Sequence, residues 1–389
     1  MEDRVISVVI PVAGSSPALG ECLESVLRQD YRRTEVIIVC GADAEGSTAL
    51  PPGSEDVRVI HQEGHCPNGR LVNDGMRAAR GHVKVLLRPE CVPLGRGWLR
   101  AMAEPFRDED VGVVVSRFAS FDGDEPGLAV RVLESLWPRH RAAGQKREHV
   151  SHACDAYRAS LLADVGYFEE GMPCPGEAVE LSLRVREAGY SIVTAHGALA
   201  RCGAAGGPGA LGALGRALHF GRADARLYRE HEVRWLNSGI FSAALFSLLL
   251  LPLALVSLPL GLIASGLLFV WGWLLTLRMP VVRWEVPTAV LSFALWVGLV
   301  LLVRDGWSPG LFGKGVHPAI LRQWLWLAAM IGTFGLLLLR AAGACAWRVL
   351  RQPRGWLYAL PAGLLALAWW PLAGLGHIQG LVVDSLRRR

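Results

Sequence analysis

Forty consecutive residues, Ser238 to Leu277, carry no charged side chain. A single helix of that length would extend about 60 Å, twice the roughly 30 Å of a bilayer's hydrocarbon core. The run therefore reads as two spans, 238–256 and 258–277, joined near Ser257-Leu258-Pro259. Further apolar runs follow at 286–303 and 320–339, and a shorter one with prolines at 356–375. Residues 238–389 are thus expected to form a transmembrane domain of about four helices plus a last segment. Arg278 and Arg283 lie between the second and third runs, and Arg340, Arg348, Arg351 and Arg354 follow the fourth. The positive-inside rule puts both groups on the side of the N-terminal domain, in the cytoplasm, which implies an integral inner-membrane protein. A spanning final segment would carry Arg387-Arg388-Arg389 to the other side, so 356–375 is expected to be re-entrant or interfacial rather than a fifth span.

Residues 216–237 are basic and amphipathic, with Arg216, His219, Arg222, Arg226, Arg229, His231, Arg234 and Trp235, and read as an interfacial helix. The formal charge of +5 comes with no nucleic-acid-binding motif, so no nucleic-acid partner is expected. Eight cysteines show no C-x-x-C spacing, and the N-terminus runs into a strand pattern without an apolar leader. A cytosolic domain with reduced thiols follows from both.

Residues 1–215 have the opposite character. Val5 to Val12 is a run of strand formers, Leu19, Cys22, Leu23, Val26 and Leu27 recur at helical spacing, and Glu35-Val36-Ile37-Ile38-Val39 is a second strand. Strand, helix and strand in that order make a right-handed βαβ unit. Val57 to Ile60 gives a third strand, Gly81 to Leu87 a fourth, Trp98 to Phe106 a helix and Val111 to Ser116 another strand. The fourth strand ends in Leu86-Leu87-Arg88-Pro89-Glu90-Cys91-Val92-Pro93, a polar turn. Open α/β sheets bind ligands at the carboxyl ends of their strands, so chemistry is expected at that turn.

The pattern resembles the nucleotide-sugar glycosyltransferases of family 2, which have the GT-A fold, a Rossmann-like mixed α/β sheet. The resemblance rests on Ser7-Val8-Val9-Ile10-Pro11, Cys22-Leu23-Glu24-Ser25-Val26-Leu27 with Gln29 and Tyr31, Asn73-Asp74-Gly75, Ala79-Arg80-Gly81, Gly166-Tyr167-Phe168-Glu169-Glu170 and Gly176-Glu177-Ala178-Val179-Glu180-Leu181. It implies nucleotide-sugar contacts at Pro11, Ala13, Cys40, Asp43, Asn73, Arg88 and Glu90. Three acidic positions of the family's pattern are altered. The Asp that reads the base is Cys40, with Asp43 nearby as a substitute. The first Asp of the Leu-Asp-x-Asp turn is Arg88 and the second is Glu90. The Asp that takes the acceptor's proton is Ala178, leaving Glu177 and Glu180 as substitutes.

In the family the turn holds a divalent metal, Mg²⁺ or Mn²⁺, on the donor's diphosphate. Here Glu90 is the turn's carboxylate for such an ion, and Arg88 opposes it. Two like unit charges at 4 Å repel by about 4 kcal/mol at an effective dielectric of 20. Arg88 could instead neutralise the diphosphate itself, without metal.

Two functional readings remain open. One is a membrane-bound transferase moving sugar from a nucleotide-sugar donor to a lipid-linked or polysaccharide acceptor, as in exopolysaccharide biosynthesis. The other is a catalytically inactive pseudo-glycosyltransferase, serving as scaffold or partner subunit to another glycosyltransferase at the membrane. A carrier is disfavoured, because the apolar runs lack a central charged residue for a substrate path.

Overall fold

In a computed structural model of the chain, the described residues are 5–44, 56–63, 68–118, 149–150, 153–173, 176–202, 210–231 and, with gaps, 335–387. They fall in two compact units, the first ending at Cys202 and the second starting at Ala210. The expected spans 238–256, 258–277 and 286–303, and all but the end of 320–339, lie outside the described residues.

The first unit is built on β1 (Ile6–Val12), whose seven residues are all buried. A strand rich in Val and Ile and covered on both faces is what a central parallel strand requires. It pairs in parallel with β2 (Thr34–Cys40) on one side and with β4 (Val83–Leu87) on the other, while β3 (Arg58–His61) extends the sheet beyond β2. The full order is β3-β2-β1-β4-β7-β6-β8-β5, with β5 at Cys91–Leu94, β6 at Val111–Phe118, β7 at Cys154–Arg158 and β8 at Ser191–Cys202. β7 runs antiparallel to both β4 and β6, and β5 antiparallel to β8. The other six strands share one direction, so the sheet is mixed.

Helices cover both faces. Leu19, Cys22, Leu23 and Val26 form the buried stripe of α1 (Leu19–Leu27) and pack with Ile10, Ile38, Trp98 and Phe106. On the other face, Leu71, Val72 and Met76 of α2 (Asn68–Ala78) pack with Val9, Ile37 and Leu86. α2 lies so close to the sheet that a Cβ on Gly75 would overlap Val9 Cγ1 and stand 2.9 Å from Val39 Cγ2. Gly81 is equally constrained: a Cβ there would be 2.6 Å from the Ser7 nitrogen, and the Gly81 N–H donates to Ser7 Oγ at 2.8 Å. The glycines of both short motifs are therefore demanded by packing.

Several elements differ from the sequence expectation. The polar turn stops at Cys91, where β5 begins as an edge strand, a position that tolerates Pro93. The helix expected over 98–106 is α3 (Trp98–Ala103) followed by a 3₁₀ turn, Glu104–Arg107, which starts just before Pro105. The twelve-residue β8 is absent from the sequence reading altogether. Two further helices complete the unit, α4 (Ala159–Val165) and α5 (Gly176–Glu187).

In the second unit, α6 (Ala210–His231) takes in most of the segment read as interfacial, and residues 232–237 lie outside the described residues. α7 (Ala359–Arg387) is one continuous helix of 29 residues containing Pro371, so the last apolar segment continues as helix well past 375. α6 and α7 run parallel: Phe220 meets Trp369 edge to face at 5.6 Å, and buried Asp224 and His377 stand 3.5 Å apart. A Cβ on Gly221 would collide with the Ala373 carbonyl, and one on Gly376 with that of Leu218, so small residues set this crossing. Ala359–Val382 is long and apolar enough to cross a membrane by length and composition.

Two glycine-to-alanine substitutions should have opposite signs. Gly75→Ala should lower the unfolding free energy by about 1–3 kcal/mol through overpacking. Gly20→Ala, in α1 with no atom within 4 Å of the added Cβ, should raise it by about 0.5–1 kcal/mol. Denaturant unfolding of the purified full chain checks both.

Candidate functional site

The carboxyl ends of β1, β2 and β4 lie on one edge of the sheet, because the three strands are parallel. β4 ends at Leu87, and Arg88-Pro89-Glu90-Cys91 closes a four-residue turn through the Cys91 N–H donating to the Arg88 carbonyl at 2.9 Å. Pro89 occupies the second turn position, where its fixed φ is favoured. The Arg88 N–H donates to the Ala153 carbonyl at 2.8 Å, tying the turn to the approach to β7. The Cys22 thiol donates to the Arg88 carbonyl at 3.7 Å and so ties it to α1 as well. Burial pushes that thiol far above its usual range, with Glu90 and then Glu21 adding to the effect, and keeps it a protonated donor. Arg88 and Glu90 are both half-buried. Cys91 is disulfide-bonded, whereas the sequence reading has all thiols reduced.

At the neighbouring strand ends, Pro11 is buried within β1 opposite Val39, and Ala13 is exposed just beyond it. Gly41 donates its N–H to the Val12 carbonyl at 2.9 Å, and a Cβ on it would stand 3.2 Å from the Ala13 oxygen. Cys40 closes β2 between Val12 and His61, almost wholly buried. Desolvation raises its pKa, so it is a neutral thiol where a carboxylate would read a base. The carboxylate exposed near this strand end belongs to Asp43, on the 3₁₀ turn Ala42–Ala44.

Asn73 is engaged by the residues that follow α4. It is buried in α2, and its amide nitrogen donates to the Phe168 carbonyl at 2.8 Å and to Glu170 Oε1 at 2.9 Å. Its oxygen accepts from the Phe168 N–H at 3.0 Å. Both donors and one acceptor are used in clamping α2 to residues 168–170. Arg77 adds to the clamp, reaching Glu170 at 3.4 Å and lying 5.1 Å from the Tyr167 ring centre.

The three adjacent candidates on α5 separate cleanly. Ala178 is fully buried among Leu86, Tyr157 and Leu181 and brings no acid–base group. Glu180 forms a two-point fork with Arg184, both bonds 2.6 Å. Arg184 also donates to the carbonyls of Val165 and Tyr167, so the pair holds α5 to the end of α4 and the residues after it. Bidentate pairing of this kind is strong and directional, and it commits the Glu180 carboxylate to structure. Glu177 is 2% exposed in the first turn of α5, where the helix dipole favours a carboxylate.

Asp155 escapes the sequence reading. It is fully buried on β7, opposite Leu86 of β4 and Val115 of β6, one residue inside the site edge. The Tyr157 hydroxyl donates to it at 3.4 Å, and that phenol is pushed well above its usual range by burial and then by Asp155. The signal was a single carboxylate within Cys154-Asp155-Ala156-Tyr157, otherwise a strand run.

Among the described residues no group of three or more His, Cys, Asp or Glu side chains comes together. The turn offers one carboxylate, Glu90, in the same four residues as a guanidinium, and that donor set does not fit a divalent cation. Thiol chemistry gives a direct check of the buried cysteines. With a small alkylating reagent at pH 8, Cys22 and Cys40 should stay unmodified in the native chain and react once it is denatured, as read by peptide mass; rapid native labelling of either would contradict their burial.

Known proteins share this architecture. Residues 3–238 match the family model described as Glycosyltransferase like family 2. Glycosyltransferase GlyG of Streptococcus pneumoniae serotype 4 is 25% identical over 123 residues, 31% of this chain and 40% of that protein. Glycosyltransferase AglE of Haloferax volcanii is 22% identical over 198 residues, 49% of this chain and 64% of that protein. The chain thus spans less than two thirds of the length of either relative. Among solved structures, the mannosyltransferase PcManGT from Pyrobaculum calidifontis, in complex with GDP-Man and Mn²⁺, has a TM-score of 0.51 at 18% identity, covering 95% of this chain and 87% of its own. That likeness is one of fold, a GT-A-like mixed sheet.

Proposed function

The chain belongs to glycosyltransferase family 2, and on that premise we propose that it is a membrane-bound transferase moving sugar from a nucleotide-sugar donor to a lipid-linked or polysaccharide acceptor. Glu177 is the proposed general base. The observation that carries this is the place of Glu177, the acidic residue in the first turn of α5 and next to the core residue Ala178, while Glu180 pairs with Arg184.

In the proposed reaction the acceptor hydroxyl oxygen attacks the anomeric carbon, and the bond from that carbon to the diphosphate oxygen breaks. The hydroxyl proton passes to Glu177, and the nucleoside diphosphate leaves with the bonding electron pair. The family's inverting single displacement is the stereochemistry proposed. Arg88, at the carboxyl end of β4, is assigned to the departing diphosphate, for which a planar guanidinium is well matched. Asp43 is assigned to the nucleotide base in place of Cys40, supported by its exposure beyond β2. Pro11 and Ala13 are assigned to the floor beneath the donor. The nucleotide role of Asn73 is not carried forward, since its amide is spent on residues 168–170.

The proposed location is the inner membrane, with the sheet domain in the cytoplasm as the charge distribution of the apolar half suggests; the Cys91 disulfide runs against that side, and the uncharged length of α7 supports a membrane setting. A second reading, a non-catalytic scaffold beside a partner glycosyltransferase, is favoured by Ala178 in the core and by the neutral thiol of Cys40.

Turnover separates the two. Purified full chain in detergent, given a panel of nucleotide sugars and glycan or lipid-phosphate acceptors, should release nucleoside diphosphate and form glycosidic product. Glu177→Gln should lower the rate on the order of 10²–10⁴-fold. Absence of product with every donor, in a chain that still binds nucleoside diphosphate, would favour the scaffold.

A further inference from the structure

The second unit carries a surface that the transfer chemistry does not use. Helical residues 341–343 and 345–350 fold back on the start of α7. The Cys345 thiol donates to the Ala362 carbonyl at 3.7 Å, and a Cβ on Gly363 would stand 3.4 Å from the Ala342 oxygen and the Ala346 Cβ. The tip of this helical hairpin exposes large apolar side chains: Trp347 at 51%, Leu350 at 44%, Trp356 at 70%, Leu357 at 50% and Leu360 at 73%. Arg351 lies over the Trp347 ring, 5.1 Å from its centre.

Between Asp305 and Asp384 the sequence has no carboxylate side chain. Arg348 and Arg351 are the charged side chains among the described residues 345–360, and Arg340 and Arg354 are near them in sequence. Beyond it, Ala359–Val382 is an uncharged helix that goes on exposing Leu364, Leu375, Leu381 and Val382. Tryptophan and arginine gathered at one end of an apolar helix match the layers of a bilayer, with indole rings at headgroup depth and guanidinium groups on the phosphates.

We propose that the surface formed by Trp347, Leu350, Arg351, Trp356, Leu357 and Leu360 docks on the anionic phospholipid headgroups of the membrane and sets the depth of α7. This rests on the membrane reading above and adds which surface meets the lipid and which lipid class it selects. A bilayer is favoured over an acidic protein because the apolar exposure continues along α7, beyond the cationic end. An acidic protein would need the cationic end alone.

The test uses the full chain in nanodiscs of mixed phosphatidylglycerol and phosphatidylcholine, with the photoreactive residue p-benzoylphenylalanine at position 356. Irradiation should give adducts of lipid mass, enriched in phosphatidylglycerol over its share of the bilayer. In the same background, Arg348→Gln and Arg351→Gln should cut that enrichment about fivefold per arginine. Adducts of protein mass, or no adduct in a chain that has entered the disc, would overturn the proposal. So would lipid adducts with no preference for phosphatidylglycerol or no response to the arginine variants. Failure of the chain to enter the disc at all would instead sink the membrane reading on which the proposal stands.

Discussion

One strand pairing holds the sheet domain together. β4 and β7 pair antiparallel from Val83↔Arg158 to Leu87↔Cys154, and this seam joins the four parallel strands β3, β2, β1 and β4 to the remaining four. The seam extends one bond further, from the Arg88 N–H to the Ala153 carbonyl. The turn that carries Arg88 and Glu90 is therefore not a loose loop. It is the continuation of the ladder, and its position follows from the register of the two half-sheets. Asp155 is buried in the same seam, so a change in register would move a carboxylate as well as a turn.

Around the seam, polar groups that look catalytic are mostly engaged in holding secondary structure in place. Asn73 clamps α2 to residues 168–170, and Glu180 with Arg184 fastens α5 to the carbonyls of Val165 and Tyr167. Buried polar groups are costly unless their bonds are made, and here the bonds made by Asn73 use most of its capacity. Burial alone therefore does not mark a catalytic group. The base proposed above, Glu177, is in the first turn of α5, beside a core alanine and one turn before the Glu180–Arg184 fork.

The parallel half of the sheet was legible because buried parallel strands are continuous runs of Val and Ile, as β1 and β2 are. β5 was not, since four residues with a proline give no periodic signal, and β8 was hidden by its run Ala195-His196-Gly197-Ala198. The motif glycines were visible as spacing, but the cause is steric, the contact of α2 with Val9 and Val39 and of Gly81 with Ser7. The clamp made by Asn73 was not legible, because a motif records which residue is present and not which way its side chain is used. The Glu180–Arg184 pair had a signal in the sequence: Arg184 stands four residues after Glu180, the spacing of a helical ion pair.

The central claim is that a guanidinium at the end of β4 takes the place of a metal-binding carboxylate. Calorimetric titration of the full chain with UDP and GDP, in chelator and in Mg²⁺ or Mn²⁺, tests it most directly. The account predicts affinity unchanged by chelator and lost by about tenfold or more in Arg88→Ala, the cost of roughly 1.5–3 kcal/mol for a charged hydrogen bond. Binding that requires a divalent cation, and that tightens when Arg88→Asp restores a second carboxylate to the turn, would contradict it.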